Sequence, residues 1–332
     1  GSPTPAELAR QVDVLVFSVP IRRTVAVIES CIAHADGGEA GALWLDLTSI
    51  KQAPVAAMLG SRADVAGLHP MAAPPKIGTL EGRTLAVCRA RVARWGPWLD
   101  ALLAAMRADC VEIAPAAHDR AMALVQGLVH ASHLAQADVL RRCAAEAGGM
   151  PALHALRTVG HELDLTVTGR ILAGNPAIYE DIQFGNPDVL PVLERLADAT
   201  TALHDAVARG DEAARAMLRQ RFLAEPAAWF GAEALAARSH GFERMGYLQA
   251  DLDAARFLSV YLPEDRPGSL RALLAVFERL GANLASIHSS RPPEGELHFR
   301  IGLDLLPASL ALLRAEVEDA GIGRVLEARD DA

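Results

Sequence analysis

Nowhere does the chain carry an apolar run long enough to cross a bilayer; the longest, such as residues 14–21, fall far short of the roughly 20 residues a spanning helix needs. There is no basic cluster either, and a formal net charge of -9 argues against the positive surface with which a protein displaces counterions from nucleic acid. Neither a membrane nor a nucleic acid is an expected partner. The four cysteines, Cys31, Cys88, Cys110 and Cys143, show no Cys-x-x-Cys spacing and sit in apolar strand or helix patterns, which predicts buried free thiols in a reducing, cytoplasmic setting. Lysine is nearly missing, since of 32 basic residues only Lys51 and Lys76 are lysines. No Gly-x-Gly-x-x-Gly turn is present; the nearest glycines, Gly37, Gly38 and Gly41, lie between a helix and a strand and read as an ordinary loop. The chain opens Gly-Ser-Pro-Thr-Pro without methionine, which reads as a fragment start or an expression scar and leaves no targeting signal to interpret.

What is present is a globular composition, 51% hydrophobic and 22% charged over 332 residues, enough for two or three domains. Its organising stretch is residues 42–74, where two apolar runs, 42–47 and 65–68, break off into Thr48, Ser49, Lys51 and His69. These are expected to be buried strands that deliver the four side chains to one sheet edge, where open α/β sheets hold their ligands. Apolar runs at 12–19, 84–88 and 111–113 add strands, and helical spacing at 24–34, with Val25, Ile28 and Ile32 on one face, near 54–59 and at 95–107 adds helices. The alternation predicts a parallel, doubly wound (Rossmann-like) α/β sheet over residues 1–115 that lacks its first βαβ unit.

A long helical pattern over 116–148 opens an all-helical block, residues 116–250, rich enough in apolar positions to predict homodimerisation. Residues 246–254 read as a linker. From there the order strand, helix, strand, strand, helix, strand over 255–328 is a ferredoxin-like βαββαβ unit, its first helix carrying Leu270, Leu273, Leu274 and Phe277 on one face.

Taken singly, the candidate residues have ordinary explanations. A His-Pro at a strand end, as at His69, is commonly a structural turn; Thr48-Ser49 can cap the following helix; Lys51 reads as a solvated side chain at that helix start. His118 and His130 lie twelve residues apart, about 18 Å along a helix, too far to share a metal. His130 and His133 share a face, but no carboxylate or cysteine completes a set, so no metal is expected.

Five stretches together resemble the prephenate dehydrogenase family: SVPIRRTVAVI (18–28), LDLTSIK (45–51), GLHPM (67–71), HDRAMALVQGLVHA (118–131) and VTGRILAGNPAIYEDI (167–182). They occur in the family's order and cover most of residues 12–237. The C-terminal unit is similar to an ACT-type regulatory domain through Asp265-Arg-Pro-Gly-Ser-Leu270, Gly281-Ala-Asn-Leu284 and Ser290-Arg-Pro292.

The resemblance implies oxidative decarboxylation of prephenate to 4-hydroxyphenylpyruvate with NAD or NADP, in tyrosine biosynthesis. His69 matches the family's catalytic histidine, suited by an ordinary pKa near ~6.5 to accept the hydroxyl proton as hydride leaves. Ser49 matches the serine that supports that histidine, and Ser18, Val19, Pro20 and Thr48 fall where the cofactor is held. Arg170 matches the arginine that pairs with a substrate carboxylate through two parallel bonds, and His130 a substrate-contacting histidine. Asp265, Gly268, Asn283 and Ser290 are the implied contacts for an aromatic amino-acid effector such as tyrosine, next to a helix start whose free N–H groups can take a carboxylate; a module that only dimerises remains the rival. The chain departs from the family after His69, where Ala73 replaces a glycine and Pro75 and Lys76 stand in place of an acid. Lys76 is therefore a candidate for binding a substrate carboxylate.

Other readings stay open. Arogenate, with an amine for the keto group, is an alternative substrate. A binding or regulatory protein without the cofactor half of the sheet is an alternative class; if the missing βαβ instead reflects truncation, these 332 residues are expected to bind NAD weakly and show little activity. The wider 6-phosphogluconate-dehydrogenase-like group shares the order of sheet and helices but predicts no ACT-type tail and lacks the pairing of LDLTSIK with GLHPM.

Overall fold

The computed structural model of the protein describes residues 4–72, 80–252, 256–262, 266–290, 297–303 and 310–330. They form two compact units, divided between Leu218 and Arg219.

In the first unit α1 (Pro5–Gln11), closed by a Thr4–Glu7 capping box, leads into β1 (Val14–Phe17), α2 (Ile21–Ala35), β2 (Leu43–Asp46), α3 (Gln52–Leu59), β3 (Asp64–Pro70), β4 (Thr84–Arg91), α4 (Gly96–Met106) and β5 (Asp109–Glu112). The five strands lie in chain order, β1-β2-β3-β4-β5. Every neighbouring pair is parallel except β3 and β4, which run antiparallel from Val65↔Arg91 to Pro70↔Leu85. The sheet is thus mixed, not wholly parallel as expected. A parallel return needs a crossover of a dozen or more residues, usually helical, and residues 71–83, with a proline pair and two glycines, supply no helical pattern.

Leu43, Leu45, Ala66, Leu68, Leu85 and Val87 pack against Leu99 and Leu103 of α4, while Trp44 and Val65 face α2 and α3. Strands covered on both faces read as continuous apolar runs, which is why β2 and β3 stand out in the sequence. The buried line of α2 is Thr24, Ile28, Cys31 and Ala35, rotated from the expected Val25, Ile28 and Ile32. Cys31 and Cys88 are buried, but Cys110 and Cys143 are exposed, against expectation.

The expected single helix over 116–148 is α5 (Pro115–Met122), a π-helical stretch (Ala123–Leu128) and α6 (Val129–Cys143). There follow α7 (Gly149–Ala155), α8 (Val159–Leu172), α9 (Pro176–Gly185), α10 (Val189–Arg209) and α11 (Glu212–Leu218). Asn175 caps α9 through its side chain. Several apolar side chains of this block face solvent, with Phe184 90%, Leu156 84% and Val207 69% exposed.

The second unit has a further π-helical stretch (Arg219–Ala224), α12 (Glu225–Phe230) and α13 (Ala232–Leu252). Most of the expected linker at 246–254 is therefore the end of α13. Beyond it, β6 (Arg256–Leu262), α14 (Ser269–Arg279), β7 (Leu284–Ser290), β8 (Leu297–Leu303), α15 (Leu310–Asp319) and β9 (Arg324–Asp330) make an antiparallel sheet in the order β7-β8-β6-β9. Its core joins Leu258, Val260, Phe299 and Ile301 to Leu273, Val276 and Phe277 of α14 and Leu313 and Val317 of α15. Leu270, expected on the core face of α14, is 41% exposed. Among the described residues no helix is long and apolar enough to cross a membrane.

Candidate active site

The loop after β2 is built around a buried ion pair. Asp46, the last residue of the strand, accepts through Oδ1 from the Thr48 N–H (3.1 Å), the Thr48 hydroxyl (2.7 Å) and the ammonium of Lys51. Both Asp46 and Lys51 are 0% exposed, which overturns the reading of Lys51 as a solvated side chain. Burial pushes the Asp46 carboxyl up and the Lys51 ammonium down, each opposed by the attraction of the other. The Thr48 hydroxyl is shared between Asp46 and the Ile50 carbonyl (2.8 Å). Its single proton is thus engaged inside the loop.

His69 lies within β3, not beyond its end, and is 3% exposed. Its Nδ1 sits 2.9 Å from Nε2 of His118, whose own Nδ1 is 2.7 Å from Oδ1 of Asp119. Asp119 in turn accepts from the N–H groups of Lys51 (2.7 Å) and Gln52 (2.9 Å) at the start of α3. Burial, then His118 and Lys51, hold the His69 pKa down to about 3, so its imidazole is neutral at physiological pH. Asn186, buried just past α9, donates to the Asp119 carbonyl (2.7 Å) and ties α5 to the next layer of helices. From sequence, His118 is weighed only as a metal ligand, and Asp119 stands only within a motif. Their signal was a His-Asp pair opening a helix directly after the last strand, but nothing local shows that the histidine meets another 49 residues earlier.

A cleft of about 220 Å³ opens at the carboxyl ends of β1 and β2. Ser18, Val19, Pro20, Thr48 and Ser49 line one wall, and α9 supplies Asn175 and Asp181 on the other. The expected cofactor residues and Ser49 are thus brought together. Asp181 also accepts from the Arg22 N–H (3.3 Å), so a carboxylate already occupies the first turn of α2. Ser49 stands in the cleft, whereas the described hydrogen-bond partner of His69 is His118.

The remaining candidates gather on the other side of α9. The ring of His130 packs edge-on against Tyr179, with centroids 4.9 Å apart. The Tyr179 hydroxyl donates to the Arg170 carbonyl at 3.5 Å. Burial, then His133 and Arg170, lower the His130 pKa, and its Nδ1 is buried without a hydrogen-bond partner, as is Oε1 of Gln126 one turn earlier. Tyr179 and Gln126 were not singled out from sequence. No described contact joins the His69 group directly to the His130–Arg170 group; α9 is the element that touches both the cleft and the latter.

Lys76 and Asp265 lie outside the described residues. Gly268 caps α14 in a left-handed conformation (φ 99), Asn283 is exposed just before β7, and Ser290 ends that strand. Among the described residues no three His, Cys, Asp or Glu side chains are grouped to hold a metal ion.

Comparison with known proteins gives two domain matches from one family: "Prephenate dehydrogenase, nucleotide-binding domain" over residues 2–92 and "Prephenate dehydrogenase, dimerization domain" over residues 114–220. A probable arogenate/prephenate dehydrogenase of Methanocaldococcus jannaschii is 26% identical over 69% of this chain and 50% of its own length. A 4-amino-4-deoxyprephenate dehydrogenase of Streptomyces pristinaespiralis is 33% identical over 60% of this chain and 66% of its own length. The chain spans about half the length of the first curated relatives it matches. In fold it is similar to the prephenate dehydrogenase of A. aeolicus crystallised with hydroxyphenyl propionate and NAD+, with a TM-score of 0.50, 18% identity, and coverage of 68% of this chain and 80% of that one.

Proposed function

Because the chain belongs to the prephenate dehydrogenase family by the two domain matches over residues 2–92 and 114–220, we propose that it takes part in the oxidative decarboxylation of prephenate to 4-hydroxyphenylpyruvate with NAD or NADP. The observation that carries the reading is His69: a buried, neutral imidazole on a central strand, hydrogen-bonded to His118 and through it linked to Asp119. A neutral, oriented imidazole is free to accept a ring-hydroxyl proton. A pKa of about 3 in place of the expected ordinary value near 6.5 makes it a weaker base, so the proton needs a second acceptor or a bound substrate that raises that value. Oxidised nicotinamide, when bound, accepts the hydride from the carbon that bears the hydroxyl. Loss of carbon dioxide then makes the ring aromatic.

Ser18, Val19, Pro20 and the backbone around Thr48 suit the nicotinamide end of such a cofactor, since they line the carboxyl edge of the sheet where α/β folds bind ligands. The pyrophosphate end finds no glycine-rich turn in this chain, and Asp181 occupies the first turn of α2. Ser49 supports the reacting end of the substrate, and Arg170, with His130, meets a carboxylate; Lys76 is retained as a second cation for it.

The exposed apolar side chains of the helical block, and a groove of about 730 Å³ lined by Leu124, Leu128, Val192 and Leu196, suit a homodimer. The C-terminal βαββαβ unit is read as an ACT-type module taking an aromatic amino acid near Gly268, Asn283, Asp265 and Ser290. Cytoplasmic placement follows from the biosynthetic role.

The test is turnover by the full-length protein on prephenate, arogenate and 4-amino-4-deoxyprephenate, followed by formation of reduced nicotinamide. Highest kcat/KM on prephenate is expected. Preference for either amine-bearing compound reassigns the substrate, and no turnover of any of the three rejects the proposal.

A further inference from the structure

Asp119 is 1% exposed, and its carboxylate accepts the Lys51 and Gln52 N–H groups at the start of α3, a helix with no side-chain cap of its own. Burial pushes its pKa up, but the bonds from His118 and from the two backbone N–H groups outweigh burial and hold the carboxyl below its ordinary value. An ionised carboxylate only accepts. The atom facing it at 2.7 Å, Nδ1 of His118, therefore carries a proton. In a neutral His118 the other nitrogen, Nε2, is then an acceptor, and the atom 2.9 Å from it, Nδ1 of His69, has to be the donor.

We propose that the Asp119–His118 pair fixes the tautomer of His69, keeping the ring proton on Nδ1 and leaving Nε2 bare to take the proton that the substrate releases. This rests on the reaction proposed above and assigns His118 and Asp119 as positioning residues. The pair also gives the proton somewhere to go. As the substrate O–H proton bonds to Nε2 of His69, the Nδ1 proton crosses to Nε2 of His118, and the positive charge comes to rest beside the Asp119 carboxylate. Protons and charge balance without another reactant at this step. Such a path is useful because His69 itself, hemmed in by burial and faced by His118 and Lys51, is a poor place to keep a cation, the Asp119 carboxylate opposing them only in part. A purely structural role, with Asp119 capping α3 and His118 filling space, predicts no link to the His69 tautomer.

The experiment is 15N NMR of the histidine rings in the full-length protein without substrate, His69 being assigned by the signals lost in His69→Gln. At neutral pH the expected spectrum has Nδ1 of His69 protonated and Nε2 bare. His118→Phe, which keeps an edge-on ring but removes the acceptor, is expected to give a mixture of the two His69 tautomers. A wild-type His69 protonated on Nε2, a resting His118 protonated on both nitrogens, or a His69 tautomer unchanged in His118→Phe overturns the proposal. The wild-type spectrum alone can refute it if the variant fails to fold. Because no turnover is read, failure here is separate from failure of the proposed reaction.

Discussion

Replacing Lys51 with methionine keeps a straight side chain and removes its charge from a site that is 0% exposed. Asp46 would keep the Thr48 N–H and hydroxyl bonds but lose its cation, and its Oδ2 already has no partner. Taking one partner from a buried ion pair costs about 3–5 kcal/mol, because the other charge is stranded away from water. For a unit of 150–250 residues each kcal/mol moves the melting midpoint by about 2–4 °C, so the loss is roughly 6–20 °C. Adding Asp46→Asn removes the stranded charge and should restore part of the lost stability. The loss from Lys51→Met alone should also shrink as pH falls, since protonating Asp46 neutralises the same charge. Calorimetric melts of the wild type, the single and the double variant, at two pH values, read all three effects. A midpoint drop under about 2 °C, or a double variant no more stable than the single, refutes the assignment of Lys51 and Asp46 as a buried pair.

A pKa of about 3 for folded His69, against the ordinary 6.5 of an unfolded histidine, means that between those values the unfolded chain binds the extra proton. Stability should therefore rise with pH across that window, by up to about 1.4 kcal/mol per pH unit; urea midpoints whose slope is the same in His69→Gln would show that some other group is responsible. At Gly67 an added methyl would lie 2.8 Å from Val55 Cγ2 and 2.9 Å from both Asp46 Oδ2 and Lys51 Cδ. Gly67→Ala is expected to cost about 1–3 kcal/mol through overpacking, and a neutral result in urea unfolding would mean the loop moves aside freely. Arg170→Ala should raise KM for prephenate at least ~10-fold while changing kcat less, as loss of a carboxylate partner requires. An unchanged KM removes Arg170 from the substrate site.

The strands β1 to β3 were legible because their apolar runs end abruptly in polar residues, and the βαββαβ order because β8 alternates so regularly. The antiparallel turn to β4 leaves no mark on the apolar runs themselves; its trace is the missing helical pattern over residues 71–83, which a parallel return would need. Lys51 was misread for a related reason: lysine is rarely fully buried, and only the meeting with Asp46, five residues earlier, makes it so. Ser18, Val19, Pro20, Thr48 and Ser49 share a cleft as expected because two neighbouring parallel strands end there. The pairing of His118 with His69 is not legible in the sequence because that contact is made by tertiary folding. The end of α13 was mistaken for a linker because Gly246 and a run of mixed polarity look like a break.

The most direct measurement is kcat of the His69→Asn variant of the full-length protein on prephenate at saturating cofactor, with its fold checked by melting and its cofactor affinity by calorimetry. Loss of a general base lowers rates by about 10²–10⁴, and a fall of that size with unchanged cofactor affinity is the expected result. A kcat within about twofold of the wild type, where loss of a general base demands far more, would contradict the assignment of His69 as the residue that takes the substrate's proton.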